Sequence, residues 1–526
     1  MTIVATFSGL KRLRLILGPV LWLWLLTLQP AASQPEPYTS AIAAILSGHP
    51  SDTALSRFYL LRQNRPAWFD ANGLNGDGKL AAAAIAAADL DGLSPARYQL
   101  DMALRPSTGS DVSDLAQRDI LLTTKFLRYV SDLHSGREEL KHLDRDVELP
   151  SDRFDAAAGL SRALTEGKLA EYLRAISPQG TQYAGLRSAL AYYRAIAAKG
   201  GWTEIPSAAS LDSHSTDDKI VQLLAARLAQ EDAKLANTTS PSATDIDAGI
   251  RRFQERHGLT ADGVVGESTR AALNVSPTER AAQIAANMER LRWMPRGPEK
   301  TYVQVNVADA SLAVIDNGST ILSSRIIVGR PKTPTPIFRA EIDDVVVNPP
   351  WNVPDSIARH EIVPRLKKNP SYLEAHGMRI VNGRIQQRPG AKNALGYVKL
   401  NVSSRFLVYL HDTPSRSLFT RDRRFLSHGC IRVEEITPLA SYALTGTTTG
   451  GLEQLAATIK TGQTTHLPVN RPIPLYVEYF TAFLSPDGNL QFRPDLYGRD
   501  RRLIAAMSGS TTARNGGPGG NCLRAG

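Results

Sequence analysis

The stretch Thr301-Tyr-Val-Gln-Val-Asn-Val307 alternates without a break: Val303, Val305 and Val307 share one parity, Tyr302, Gln304 and Asn306 the other. Successive side chains of a β-strand point to opposite faces, so a period of two marks a half-buried strand. Downstream, Leu312–Ile315 and Ile321–Val328 flank Asp316-Asn-Gly318. An Asn-Gly pair between apolar runs signals a hairpin, because both residues tolerate positive φ. Asp343–Val347 and Phe406–Leu410 read as further strands. Residues 300–505 are therefore predicted to be a mainly β domain. Between Trp351 and Gly396 the alternation fails, and Pro354, Pro364, Pro370 and Pro389 punctuate the chain. That pattern predicts an insertion over residues 352–396.

Upstream of Thr301 the period is that of a helix. Leu122, Phe126, Tyr129 and Leu133 fall at i, i+4, i+7 and i+11, and Gly136 follows as a stop. Tyr183–Lys199 is a second such segment. Residues 38–210 read as a helical scaffold with no clustered polar constellation. Within it, Asp70-Ala-Asn-Gly-Leu-Asn-Gly-Asp-Gly-Lys79 has the composition of a calcium loop. Its acidic and amide residues do not alternate as such a loop requires, and Ala81 stands where a bidentate Glu is needed. A turn before a helix is the expectation. Residues 211–278 read as a small helical module, with Asp217 a candidate cap and two stripes, Ile220, Leu224, Leu228 and Ile246, Ile250, Phe253. The whole is an α+β multidomain chain.

The 526 residues exceed what one core can organise. The formal charge of +10 is spread along the chain without a block of like charges, which argues against a nucleic-acid partner. Lys11, Arg12 and Arg14 precede an apolar run, Leu15–Leu28, that contains Pro19, and Ala31-Ala32-Ser33 follows. Basic residues, a short apolar run and small residues form a secretory signal, here residues 1–33. The run is shorter than the roughly 20 residues of a spanning helix. Export with cleavage is expected, and membrane attachment only if the signal is retained. Two cysteines remain, Cys430 and Cys522, the second in a Gly-, Ser- and Arg-rich tail, residues 508–526, predicted to be disordered. A Cys430–Cys522 disulfide is one reading of the pair. A thiol kept free in an oxidising compartment instead calls for a chemical reason.

That reason is in the segment Tyr409–Val433, which gathers two histidines, a cysteine and an arginine behind an apolar run. A solitary cysteine is usually a small buried hydrophobe. Beside Cys430, however, Gly429 lets backbone approach a substrate, and imidazole and basic neighbours favour thiolate. His411 is placed at a strand end, where a sheet can aim it at the thiol as general base. His428, two residues from Cys430, is the better candidate for shaping the turn. A metal site is the competing reading, since His360-Glu361 begins like a zinc motif. Pro364 occupies the place of its second histidine, so neither a metal nor another cofactor is expected.

These residues resemble the L,D-transpeptidase signature, a histidine followed by Ser427-His428-Gly429-Cys430-x-Arg432. The resemblance extends through Asn348-Pro-Pro-Trp-Asn-Val-Pro354, Pro389-Gly-Ala-Lys-Asn-Ala-Leu-Gly396 and Tyr409-Leu-His-Asp-Thr-Pro414. Upstream, Phe253-Gln-Glu-Arg-His-Gly-Leu-Thr-Ala-Asp-Gly-Val-Val-Gly-Glu-Ser-Thr269 resembles a three-helix peptidoglycan-binding module. The chain is most similar to the large periplasmic type, in which a helical scaffold, that module and a β catalytic domain are combined.

The resemblance implies a periplasmic enzyme acting on peptidoglycan peptide stems and glycan. Cys430 would form a thioester with a donor tetrapeptide stem, releasing D-alanine, and a diaminopimelate amine would then accept the acyl group. It implies oxyanion or site-shaping roles for Gly429, Ser427 and His428, with Cys430 N–H as a second oxyanion donor. Arg432 would either hold a carboxylate or pair with Glu434 or Glu435. Tyr409 and Trp351 are either groove walls or core aromatics, and residues 352–396 a gating cap. Carbapenem-type β-lactams would acylate Cys430. The residues themselves leave the acceptor open: water would make an L,D-carboxypeptidase, a free D-amino acid an exchange enzyme and a protein lysine an attachment enzyme. A non-catalytic peptidoglycan-binding protein is the remaining alternative.

Overall fold

The computed structural model describes residues 37–70, 72–105, 111–150, 154–207, 218–297 and 299–509. The expected signal, the candidate cap Asp217 and the tail with Cys522 lie outside the described residues. Helix α1 (Val112–Ser135) starts at Asp111, whose side chain accepts the Ser113 N–H, and stops at Gly136 with φ +72°. Leu122, Phe126, Tyr129 and Leu133 are buried on one face and pack with Phe58, Tyr59 and Trp68. The loop Asp70–Lys79 is a turn before a helix: Phe69–Asp70 pairs with Gly73–Leu74, and Asn75 then caps the next helix by accepting the Gly78 N–H.

The scaffold core does contain a polar cluster, contrary to the expectation of none. Asp119 is fully buried and accepts the Tyr59 hydroxyl at 2.6 Å, with the Ala67, Trp68 and Phe69 N–H groups bonded to the same carboxylate. Trp68 Nε1 and the Tyr59 hydroxyl also meet Thr123. Burial pushes the Asp119 carboxyl up, and the four donors oppose that. The cluster ties the 67–69 backbone to α1. Its two halves, residues 59–69 and 119–123, are at least 50 residues apart in sequence, so no local pattern discloses it.

Helix α2 (Thr181–Ala198) leaves that core. Tyr183, Leu186, Leu190 and Tyr193 pack against Ile284, Ala285 and Met288, together with Ala482 and Phe492. One core is thus shared by three stretches of chain, 183–193, 281–288 and 482–492. Ile205 belongs to the small module's core, with Leu228 of α3 (Asp218–Ala229), Ile250 and Phe253 of α4 (Ala243–Arg256), Val265 and Leu273. Helix α5 (Pro277–Arg292) joins the module to the β region and carries the Ile284–Met288 face; Ser276 and Glu279 form its capping box. Amphipathic faces bury against whatever the chain brings near, regardless of sequence order.

The strands run in chain order β1 (Val147–Glu148), β2 (Thr301–Asn306), β3 (Ser311–Asp316), β4 (Ser319–Gly329), β5 (Ile337–Val347), β6 (Trp351–Asn352), β7 (Met378–Val381), β8 (Arg384–Gln387), β9 (Val398–Val402), β10 (Leu410–His411), β11 (Phe425–Ser427), β12 (Ile431–Val433) and β13 (Thr465–Glu478). The main sheet has the order β9-β10-β12-β4-β3-β2-β13-β5-β1, and β9 also pairs with β5, so the strands close on themselves. Inside lie Val303, Val305, Leu312, Val314, Ile342, Leu400, Leu410 and Ile431. Asn317 (φ +47°) and Gly318 (φ +81°) make the expected tight turn between β3 and β4.

One expectation needs correction. Of the predicted strand Phe406–Leu410 only Leu410 is in a strand, which continues to His411; Leu407 has φ +52°, which interrupts the run, while Phe406 and Val408 reach the core from a loop. Apolar alternation reports burial, and burial does not require ladder hydrogen bonds. The scaffold region, helical as expected, also lends one short strand to the main sheet: β1 pairs in parallel with β5, Val147 opposite Ile337. Residues 352–396 form a unit of their own, in which β6, β8 and β7 make a separate three-stranded sheet and helical turns span 355–368.

Candidate active site

Strand register brings the reactive residues together. Lys399 of β9 is opposite His411 of β10, and His411 is opposite Arg432 of β12. Residues paired in register share a face, as do residues two apart along a strand. Lys399, His411 and Arg432 thus form one row across three strands, and Tyr409 and Cys430 extend the same face. The contacts agree with this geometry. The Tyr409 and His411 rings lie 5.6 Å apart, and Lys399 Nζ is 4.3 Å from the Tyr409 ring centroid. The Tyr409 hydroxyl interacts with Cys430 and with the Trp351 indole, so Tyr409 adjoins the thiol and Trp351 adjoins Tyr409. Cys430 is a reduced, half-exposed thiol.

His411 is buried, and its Nδ1 lies 2.5 Å from the Asp412 carbonyl. A carbonyl only accepts, so Nδ1 carries the proton and Nε2 is left as a lone-pair base. Burial, with the nearby Arg432 charge second, drives its pKa down to about 3. The imidazole is neutral at any physiological pH, as a general base must be at the outset.

The turn before Cys430 is braced by short bonds. The Ser427 hydroxyl donates to the Cys430 carbonyl at 2.6 Å, and the Gly429 N–H donates to Ser427 Oγ at 3.1 Å. Thr335 Oγ1 donates to the Gly429 carbonyl at 2.8 Å, and Thr333 to the Ser427 carbonyl at 3.2 Å. Gly429 has φ +119°, a conformation L-residues rarely adopt, and a Cβ there would meet only the Pro334 and Thr333 carbonyls at 3.8 and 4.0 Å. Of the two N–H groups expected to face an oxyanion, that of Gly429 is committed to Ser427. The short chain between them closes this ring, which places Gly429 and Ser427 as shapers of the turn.

His428 Nε2 lies 2.6 Å from Glu361 Oε1, and Arg330 is 3.8 Å from the same oxygen. Glu361 belongs to the 355–368 helical turns, so His428, two residues from Cys430, is tied to the insertion. His360 bonds the Ser356 carbonyl and is exposed, which separates it from Glu361 as a paired ligand. The suggested pairing of Arg432 with Glu434 does not occur: Glu434 is held by Arg325 at 2.7 Å through both oxygens. Arg432 instead keeps a buried Nε without a partner. Lys399 and Arg330 went unnoticed in the sequence, and Glu361 was considered there only as part of a zinc-like pair. Lys399 alternates with the buried Val398 and Leu400, a pattern that reads as an ordinary solvent-side position.

Fold and site together define a modular chain whose closed β domain displays a thiol and a neutral imidazole on one face. Residues 300–454 match the L,D-transpeptidase catalytic domain, residues 217–273 the "Putative peptidoglycan binding domain" and residues 53–190 the "Scaffold domain". Among curated proteins, a Haemophilus influenzae "Putative L,D-transpeptidase" is 34% identical over 256 residues, covering 44% of this chain and 51% of that protein. The chain spans about half the length of this curated relative. Among solved structures, one of the Ldtfm-avibactam carbamoyl enzyme is 16% identical, covers 34% of this chain and 49% of that chain, and has a TM-score of 0.18. An L,D-transpeptidase from Xylanimonas cellulosilytica is 14% identical, covers 52% and 100%, and has a TM-score of 0.17.

Proposed function

We propose that this protein is a cysteine acyltransferase that cross-links peptidoglycan in the periplasm. The observation that carries the reading is the shared face of Cys430, Tyr409 and His411, with His411 neutral and its Nε2 unprotonated. In the first half-reaction, His411 Nε2 takes the Cys430 proton and Sγ attacks the carbonyl that joins an L-centre to the terminal D-alanine of a donor tetrapeptide. The C–N bond breaks, the imidazolium returns its proton to the leaving amine, and a thioester remains. In the second, a diaminopimelate amine of another stem attacks the thioester, loses a proton to His411, and frees the thiol.

The low basicity of His411 suits this sequence. While thiolate is present, the negative charge offsets the imidazolium; once the thioester forms, Lys399 and Arg432 disfavour imidazolium and hasten proton delivery to the amine. The 217–273 module supports wall targeting, and the leader pattern supports export. A β-lactam carbonyl is an electrophile of the same type, so carbapenems are proposed to acylate Cys430.

The test is incubation of the purified protein with tetrapeptide muropeptides, followed by mass spectrometry. The expected products are a Cys430-bound acyl group, free D-alanine and cross-linked dimers, all lost in Cys430→Ala. Trimmed monomers without dimers would reassign the enzyme as an L,D-carboxypeptidase, and no acyl adduct at all would defeat the catalytic reading.

A further inference from the structure

Lys399 lies on the reactive face, where the acyl-transfer steps use its charge only to disfavour imidazolium and give its ammonium no contact with the substrate. It is half-buried and held over the Tyr409 ring, 4.3 Å from the centroid, and it makes no hydrogen bond or ion pair among the described residues. Its electrostatic neighbours are Cys430 and Asp344. Asp344 is already engaged, since its Oδ2 accepts from Asn401 at 2.9 Å and contacts His466 Nδ1 at 2.7 Å. On the other side of His411, one strand away, Arg432 holds its unpartnered buried Nε.

A partly desolvated ammonium without an anion is costly, and a row of two such cations flanking a base disfavours the base's own charged form. A cradle of this kind is completed by an anion that arrives with the ligand. Register pairing with His411 puts that anion within one strand spacing of the acyl-transfer centre, about 5 Å. A peptide-stem donor carries carboxylates on both sides of its scissile bond, one on the leaving residue and one on the diamino acid.

We propose that Lys399 is a donor-specificity residue whose ammonium binds a carboxylate of the acyl donor beside Cys430. The inference rests on the acyl-donor reading above and names the charge that the site selects. Tyr409 positions the ammonium through its ring while its hydroxyl meets the thiol, so one side chain links charge recognition to the nucleophile. The binding step makes and breaks no covalent bond.

The experiment measures acylation of Cys430 in the full chain by intact mass for wild type, Lys399→Met and Lys399→Arg. Three donors are compared: a tetrapeptide with all its carboxylates, the same peptide amidated on the leaving residue, and the same peptide amidated on the diamino acid. Lys399→Met is expected to lower kcat/KM for the first donor at least tenfold, mainly through KM. For one amidated donor its loss should stay within about twofold, and Lys399→Arg should recover most of the activity. Alkylation by the neutral reagent iodoacetamide should be alike in all three proteins and reports an intact thiol. Equal losses on all three donors would overturn the proposal in favour of a purely electrostatic effect on the thiol, and no loss would overturn it outright. If wild type forms no thioester with any donor, the acyl-donor reading falls and takes this one with it.

Discussion

His411 shows how one side chain's surroundings decide its chemistry. Its ordinary pKa of about 6.5 would leave it partly charged near neutrality. Burial and the adjacent Arg432 hold it near 3, so the folded protein binds this proton far less readily than the unfolded chain. The sign follows: the folded-state pKa is depressed, so the stabilisation is fully present above about pH 6.5 and is lost as pH falls toward 3. The rate of Cys430 acylation, followed by mass spectrometry against pH, should therefore lack an acid limb near 6.5. A limb at that pH that disappears in His411→Gln would contradict the assignment. His411→Ala should slow acylation by about 10²- to 10⁴-fold, the usual weight of a general base. At Gly429 the demand is conformational, with φ +119°. Gly429→Ala should cost about 1–3 kcal/mol, read as a lower melting temperature, because the strain of that backbone region is of that size.

Elements decide what the residues meet. The insertion is fastened to the turn before Cys430 through His428, Glu361 and Arg330, groups about a quarter to a half exposed. An ion pair at that exposure contributes about 0–1 kcal/mol, so Glu361→Gln should hardly move the melting temperature. It should nonetheless raise amide hydrogen exchange across 355–368 several-fold, since the contact restrains a local opening. Unchanged exchange there would show that the insertion is held by its own packing. How far such features can be read from sequence differs by kind. The β3–β4 hairpin was legible because Asn317-Gly318 carries its turn chemistry locally. The end of the run Phe406–Leu410 was not, because Leu407's positive φ answers to packing that no alternation encodes. The segment Ser427–Arg432 was legible as a site because its members are neighbours in the chain, whereas Lys399 reaches it only through strand pairing.

At the scale of the molecule, the three sequence-defined regions are fastened by buried charge. Arg290 of α5 donates to Asp500 at 2.5 Å, and Asp500 also accepts the Thr481 hydroxyl. Glu289 accepts from Arg292, Trp293 and the Arg137 N–H, joining α5 to the chain just after α1. Breaking such a pair strands the remaining charge, so Asp500→Ala should destabilise the chain by about 3–5 kcal/mol in chemical denaturation. A fragment beginning at residue 300 lacks β1 and α5, and it should unfold at a lower temperature than the full chain. Equal stability of the fragment would show that the shared core around Ile284, Met288 and Phe492 adds nothing to the β domain.

The sequence by itself determined the two periodicities, the turn chemistry and the Cys430 signature, since each depends on residues within a few positions of one another. Only the tertiary structure decided that α2 and α5 share a core with residues 482–492, that β1 joins the catalytic sheet, and that Arg432 is not the partner of Glu434. It also decided that Lys399, His411 and Arg432 form one row. Side-chain periodicity says which face of an element is buried; strand register and packing between distant segments say what that face meets.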